Sequence, residues 1–182
     1  MVYILLGTGF EETEAVAPGD VLRRAQIPMQ YVGIGGKTVE GAHGISIQAD
    51  ITLEEMELPQ MDMLVLPGGL GGVESIEASS GAMAAIAYAL EHRKFVAAIC
   101  AAPTILGKRG LLDGRHAVCY PGCETDMGKA VMHPEKETVV DGNIITGRAP
   151  GAAIEFGLTL AGILNGAYTP DEIAGYMVYE RR

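Results

Sequence analysis

A cysteine at the junction of a small-residue strand and a helix is the first feature of this chain that could do chemistry. In Val96-Ala97-Ala98-Ile99-Cys100-Ala101-Ala102-Pro103 an apolar run ends at Cys100, and a helical pattern opens directly after it. A strand–turn–helix of this kind is the arrangement of a nucleophile elbow, which presents a reactive side chain on a sharp turn. Small neighbours leave room for that turn, and a helix start favours a thiolate and lowers its pKa. A cysteine among apolar residues is otherwise a small hydrophobe. The strand-end position favours the chemical role here.

Two glycine-rich segments and one His/Cys group are the other candidates. Gly7-Thr8-Gly9-Phe10-Glu11-Glu12 follows a strand and opens a helix, as a dinucleotide fingerprint does. Glu12 stands at the third glycine position, however, and Glu11 and Glu14 crowd the same helix start. A pyrophosphate would meet three carboxylates there, which excludes a dinucleotide and disfavours a flavin phosphate. Glu11 and Glu12 read instead as acids that favour the positive end of the helix dipole. Leu66-Pro67-Gly68-Gly69-Leu70-Gly71-Gly72 lets backbone N–H groups approach a ligand closely but lacks the Lys-Ser/Thr of a P-loop. His116, Cys119, Cys123 and His133 carry metal-ligand chemistry. The Cys119-x3-Cys123 spacing is looser than a zinc knuckle, and no metal is expected. Strand alternation puts His116, Val118 and Tyr120 on one face and Cys119 on the other.

The elements that must position these groups alternate between strand and helix. Strands are expected at Val2–Leu6, Met29–Ile34, Met63–Leu66, Phe95–Ile99 and His116–Tyr120. A strand or hairpin lies within Val39–Gln48, and a hairpin around Asp141-Gly142 joins Thr138–Val140 to Asn143–Thr146. Helices are expected over Glu12–Ala25, Val73–Glu91, Ala101–Lys108, Gly151–Leu164 and Pro170–Tyr179, the last capped by Thr169. Pro18 must sit in the first turns of its helix or kink it. This alternation predicts an α/β fold with a mostly parallel sheet, whose ligands bind at the carboxyl ends of the strands.

Length and composition agree. The 182 residues suit one domain, 1–182, and 48% hydrophobic against 20% charged residues supports a packed core. Thirteen Lys+Arg against 23 Asp+Glu give a net charge of -10, which repels nucleic-acid phosphates. Three cysteines argue against a secreted disulfide framework. No basic region opens a signal peptide, and no apolar run approaches the roughly 20 residues of a membrane helix. A cytoplasmic domain with no membrane and no nucleic-acid partner is expected.

The chain resembles the ThiJ/PfpI superfamily, and within it the DJ-one/ThiJ branch. The resemblance is carried by Gly9-Phe10-Glu11-Glu12-Thr13-Glu14-Ala15-Val16, Asp20-Val21-Leu22-Arg23-Arg24-Ala25, Val65-Leu66-Pro67-Gly68-Gly69, Ala97-Ala98-Ile99-Cys100-Ala101-Ala102-Pro103 and Pro150-Gly151-Ala152-Ala153-Ile154-Glu155-Phe156. These segments span nearly the whole chain in order. The resemblance implies a flavodoxin-like, doubly wound sheet sandwiched by helices, like class I glutamine amidotransferases, in a homodimer. It implies that Cys100 is the reactive thiol and Glu14 a protonated acid that hydrogen-bonds it. A carboxyl facing a thiolate in a partly buried pocket has a raised pKa, which fits that role. The backbone N–H groups of Gly69 and Ala101 match the family's oxyanion hole. Gly68, Tyr120, Arg24 and Arg148 fall in the pocket or the dimer interface.

Two departures refine the expected activity. PfpI-type peptidases carry His directly after the nucleophile. Ala101 stands there in this chain, so peptidase activity is discounted. Relatives often carry His where Tyr120 stands. A phenol of pKa about 10 is a poor base at neutral pH, so proton transfer falls to Glu14 or a water. The resemblance then implies a glyoxalase III or deglycase acting on small dicarbonyls such as methylglyoxal, with no cofactor. Its rival is a redox-sensing stress protein with chaperone-like activity, in which Cys100 is oxidised to the sulfinate.

Overall fold

Continuous apolar runs without alternation are stable only when both faces are covered, as in a parallel sheet layered by helices. The computed structural model describes residues 1–181 and has that architecture. In chain order it contains β1 (Val2–Leu6), α1 (Glu12–Arg24), β2 (Met29–Gly33), β3 (Thr38–Glu40), β4 (Ser46–Gln48), β5 (Ile51–Thr52), β6 (Met63–Leu66), α2 (Leu70–Ala78), α3 (Ser80–Glu91) and β7 (Phe95–Ile99). There follow α4 (Pro103–Gly107), β8 (His116–Ala117), β9 (Val131–Met132), β10 (Thr138–Asp141), β11 (Ile144–Gly147), α5 (Ala153–Leu164) and α6 (Pro170–Tyr176).

The main sheet runs β10-β11-β7-β6-β1-β2-β5. Every neighbouring pair is parallel except the β10–β11 hairpin. β1, β6 and β11 are buried throughout their length, as their apolar runs require. The order reverses between β1 and β6. β1 leads outward to β2, whereas β6 returns to the other side of β1. That reversal opens a crevice at the carboxyl ends of the two strands. β3 and β4 form a separate antiparallel hairpin.

α1 and α5 pack against each other through Gly157, where a Cβ would lie 2.9 Å from Pro18 Cα. Pro18 sits in the second turn of α1, and α1 runs on to Arg24.

Three sequence expectations need correction. Val73–Glu91 is two helices, because Ser79 adopts an extended backbone and its side chain accepts from the Ala82 N–H at 3.2 Å, starting α3 afresh. The expected strand His116–Tyr120 shrinks to His116–Ala117, which pairs with β9 outside the main sheet. Val118 leaves it by donating its N–H to Thr146 Oγ1 at 2.9 Å. The expected helix Ala101–Lys108 begins only at Pro103, because Cys100, Ala101 and Ala102 are spent on the turn. Among the described residues, no helix is long and apolar enough to cross a membrane.

Candidate active site

Three crossovers deliver the site to the crevice between β1 and β6. The loop after β1 leads into α1, whose first turn carries Glu14. The loop after β6 contributes Gly68 and Gly69. The turn after β7 carries Cys100.

Cys100 has φ +66, in the left-handed region that L side chains avoid. Such a conformation costs about 1–3 kcal/mol and persists only when its surroundings hold it. They do so on both sides. Cys100 N–H donates to Gly147 O at 2.9 Å, extending the β7–β11 ladder, and Cys100 O accepts from Tyr120 N–H at 2.8 Å. One residue on, the Thr104 hydroxyl donates to Ala101 O at 2.7 Å. The elbow expected from the sequence is therefore present as a fixed, strained turn.

Glu14 is fully buried. Its Oε2 accepts from Gly68 N–H at 2.8 Å, and the carboxyl lies close enough to the Cys100 thiol for the two to shift each other's ionisation. Oε1 is buried with no hydrogen-bond partner among the described residues. Gly68 makes the meeting possible. A Cβ there would lie 2.6 Å from Glu14 Oε2 and 2.8 Å from Cys100 Cβ. Gly69, at φ +80, begins α2, and a Cβ there would collide with the Gly9 carbonyl. The N–H groups of Gly69 and Ala101 both face the Cys100 sulfur.

Burial pushes the Glu14 carboxyl up to about 7, against the hydrogen bonds from Cys100 and Gly68. Burial also pushes the Cys100 thiol up, and the Glu14 charge adds to this. The Ala101 and Gly69 N–H groups oppose it. This direction is opposite to that expected from a helix start. The helix is short and begins two residues later than expected, so local donors and the neighbouring acid govern the thiol. The two groups titrate as a pair. Loss of the pair's first proton is set by the carboxyl, which burial holds up at about 7, and loss of the second by the thiol. Gly69 and Ala101 favour the thiolate form, and Gly68 favours the carboxylate.

The sulfur faces a cavity of about 420 Å³ lined by Glu11, His43, Gly69, Leu70, Cys100, Ala101, Tyr120, Cys123 and Pro150. Of the pocket residues expected from the sequence, Tyr120 lies on the wall and Gly68 lies behind it. Arg24 and Arg148 do not line it. Arg24 pairs with Asp20 at 2.7 Å near the far end of α1. Arg148 lines a second, charged cleft of about 440 Å³ with Glu135, Lys136, Glu137, Thr138 and Glu155.

Glu11 caps α1 by accepting from Glu14 N–H at 2.9 Å, as its dipole role predicts. Glu12 does something else: it reaches across to the β3–β4 hairpin and holds His43. His43 went unnoticed in the sequence; its only signal is a lone histidine between Gly41 and Gly44. Cys123, whose spacing from Cys119 suggests only a loose metal-ligand pair, lines the same cavity as Cys100. Ligand atoms of Glu11, Glu12 and His43 lie within 4.8 Å of one another. Both carboxylates already accept from N–H groups, Glu11 from Glu14 and Glu12 from His43. His116 Nδ1 and His133 Nε2 meet at 2.6 Å, but Cys119 and Cys123 do not join them in a ligand set.

A doubly wound α/β sheet with a cysteine elbow at its switch point, backed by a buried acid, defines a flavodoxin-like protein with a thiol site. The chain belongs to the DJ-1/PfpI family, whose description matches residues 1–162. It is similar to Drosophila melanogaster dj-1beta, 37% identical over 173 residues, which cover 94% of this chain and 92% of the other. The crystal structure of that protein superposes with a TM-score of 0.93 at 34% identity, covering 99% of this chain and 98% of the other. The oxidized form of Toxoplasma gondii DJ-1 superposes with a TM-score of 0.91 at 32% identity, over 99% and 98% of the two chains. A deglycase of Pyrococcus horikoshii is 33% identical over 150 residues, 82% of this chain and 90% of its own. The expected family and the flavodoxin-like sheet are thus borne out.

Proposed function

We propose that the protein is a cysteine-dependent enzyme of the glyoxalase III or deglycase type, acting on small dicarbonyls such as methylglyoxal or on their protein adducts. The observation that carries this reading is the strained Cys100 turn backed by the buried Glu14 carboxyl beneath a cavity of about 420 Å³. The pyrococcal relative named a deglycase supports it.

In the proposed reaction the Cys100 sulfur attacks the aldehyde carbon, forming an S–C bond. The pair's proton passes through Glu14 to the aldehyde oxygen, giving a hemithioacetal. The developing oxyanion lies within reach of the Gly69 and Ala101 N–H groups, which stabilise it. Moving the C1 hydrogen to C2 converts the adduct to an isomeric thioester. Water then releases the hydroxy acid and returns the thiol. One water is added overall and no electrons leave the substrate, so the scheme uses no redox cofactor. A homodimer remains part of this proposal.

A second reading is favoured by the oxidized Toxoplasma relative: Cys100 is a redox sensor with little turnover. One experiment separates the two. Methylglyoxal turnover is measured in the parent and in Cys100→Ser, alongside intact mass after peroxide. Loss of at least about 100-fold in Cys100→Ser establishes the enzyme. A parent without turnover that gains two oxygens at Cys100 selects the sensor. A Cys100→Ser variant with parental turnover sinks the enzymatic reading.

A further inference from the structure

The scheme above has a gap that the geometry fills. Glu14 is fully buried behind the sulfur and tied to Gly68 and Cys100. It is placed to move the thiol proton. The later transfer, from C1 to C2 of the bound adduct, needs a group on the open side of the cavity. The other titratable groups on the wall are Glu11, His43, Tyr120 and Cys123. Glu11 is engaged as the α1 cap, and Tyr120 and Cys123 are weak bases at neutral pH. His43 is the remaining base, and it is mounted with care.

The hairpin tip that carries it is bound to the loop after β1. Gly9 N–H donates to Glu40 O at 2.8 Å and Ala42 N–H to Phe10 O at 2.8 Å. Glu12, only 6% exposed, accepts from His43 N–H at 2.7 Å through Oε1. Its Oε2 lies 2.8 Å from His43 Nδ1. Gly41 leaves the room for this, because a Cβ there would collide with Glu12 Oε1. A carboxylate only accepts, so Nδ1 carries hydrogen and Nε2 is the nitrogen left to titrate. Burial pushes the Glu12 carboxyl up, but its bonds from the His43 ring and the His43 and Ile45 N–H groups outweigh this and hold it low. The same contact raises His43, and Glu11, 3.9 Å from Nδ1, adds to the effect.

We propose that His43, oriented by Glu12, is the acid–base group that carries the substrate hydrogen from C1 to C2, with Glu14 confined to the thiol proton. This rests on the dicarbonyl reading above. The C1–H bond breaks toward His43 Nε2, and its electron pair forms a C1–C2 double bond. The C2 oxygen takes up a proton from water. His43 then returns the hydrogen to C2 as the C1 hydroxyl gives its own proton back to water. The product is the lactoyl thioester, an isomer of the hemithioacetal, and no oxidant is consumed.

The test compares parent, Cys100→Ser, His43→Gln and Glu12→Gln with methylglyoxal as substrate, and follows Cys100 alkylation in parallel. His43→Gln is expected to lower kcat at least about tenfold while alkylation stays within about twofold of the parent. Glu12→Gln is expected to move the acid limb of the kcat profile to lower pH, because the imidazole loses the charge that raises it. Parental turnover in His43→Gln overturns the inference alone, as does an acid limb that stays in place in Glu12→Gln. A matching fall in alkylation also overturns it, because His43 would then act on the thiol. A parent that makes no lactate, or a Cys100→Ser variant that matches the parent, removes the dicarbonyl reading and this inference with it.

Discussion

Burial holds the Cys100 thiol and the Glu14 carboxyl above their ordinary ranges, and each group's charge bears on the other's ionisation. Coupled titration gives an unusual reactivity profile. Parent Cys100 is expected to alkylate faster as pH rises through about 7, where the pair drops from two protons to one, and then to level off. In Glu14→Gln that first rise disappears. Reactivity then follows the thiol alone, whose ionisation moves to lower pH because the Glu14 charge that helps hold it up is gone. Iodoacetamide labelling read by peptide mass checks this, and parallel profiles in the two proteins would refute it. Cys100 was legible from its place at a strand end before a helix, and Glu14 only through the family resemblance, because nothing local shows that the two meet. The direction of the thiol shift was not legible. It depends on how far α4 starts from Cys100 and on the charge of Glu14, and both are tertiary facts. His43 was hidden for the same reason, since its partner Glu12 lies 31 positions away.

Caps and turns set where the helices and strands stop, and there the linear pattern was least informative. Ala-rich periodicity ran unbroken from Val73 to Glu91, yet Ser79 closes α2 and opens α3. Removing its hydroxyl strips the acceptor from Ala82 N–H and is expected to cost about 1 kcal/mol of stability. Chemical denaturation of Ser79→Ala reads that number, and a value indistinguishable from the parent would mean the break is set by packing alone. The core strands β1, β6 and β7 were legible to the residue, because each is a continuous apolar run that the sheet's interior position requires. The region after α4 was not. Its polar, glycine-punctuated segments fold by single side-chain bonds such as Val118 N–H to Thr146 Oγ1, which no periodicity announces.

The whole molecule is affected by Glu14 through its response to pH. Its folded-state pKa, about 7, lies above the 4.5 of an ordinary glutamate. The folded state therefore binds the proton more tightly than the unfolded chain between those values. The stability this gives is fully present below pH 4.5 and is lost as pH rises through 7. Glu14→Gln stays neutral throughout, so its melting temperature is expected to gain on the parent between pH 5 and pH 8, by the equivalent of about 2 kcal/mol. Differential scanning calorimetry at the two values decides it, and a constant gap would show that Glu14 ionises freely. The strained turn at Cys100 has a consequence for synthesis. Its backbone is pinned by Tyr120 and Gly147, both of which leave the ribosome after it. Until β11 has joined the sheet, nothing holds the cysteine at positive φ, and the nascent thiol is an ordinary one. The elbow arrives only with the closing strand, so an unfinished chain does not yet hold Cys100 in the geometry of the folded site.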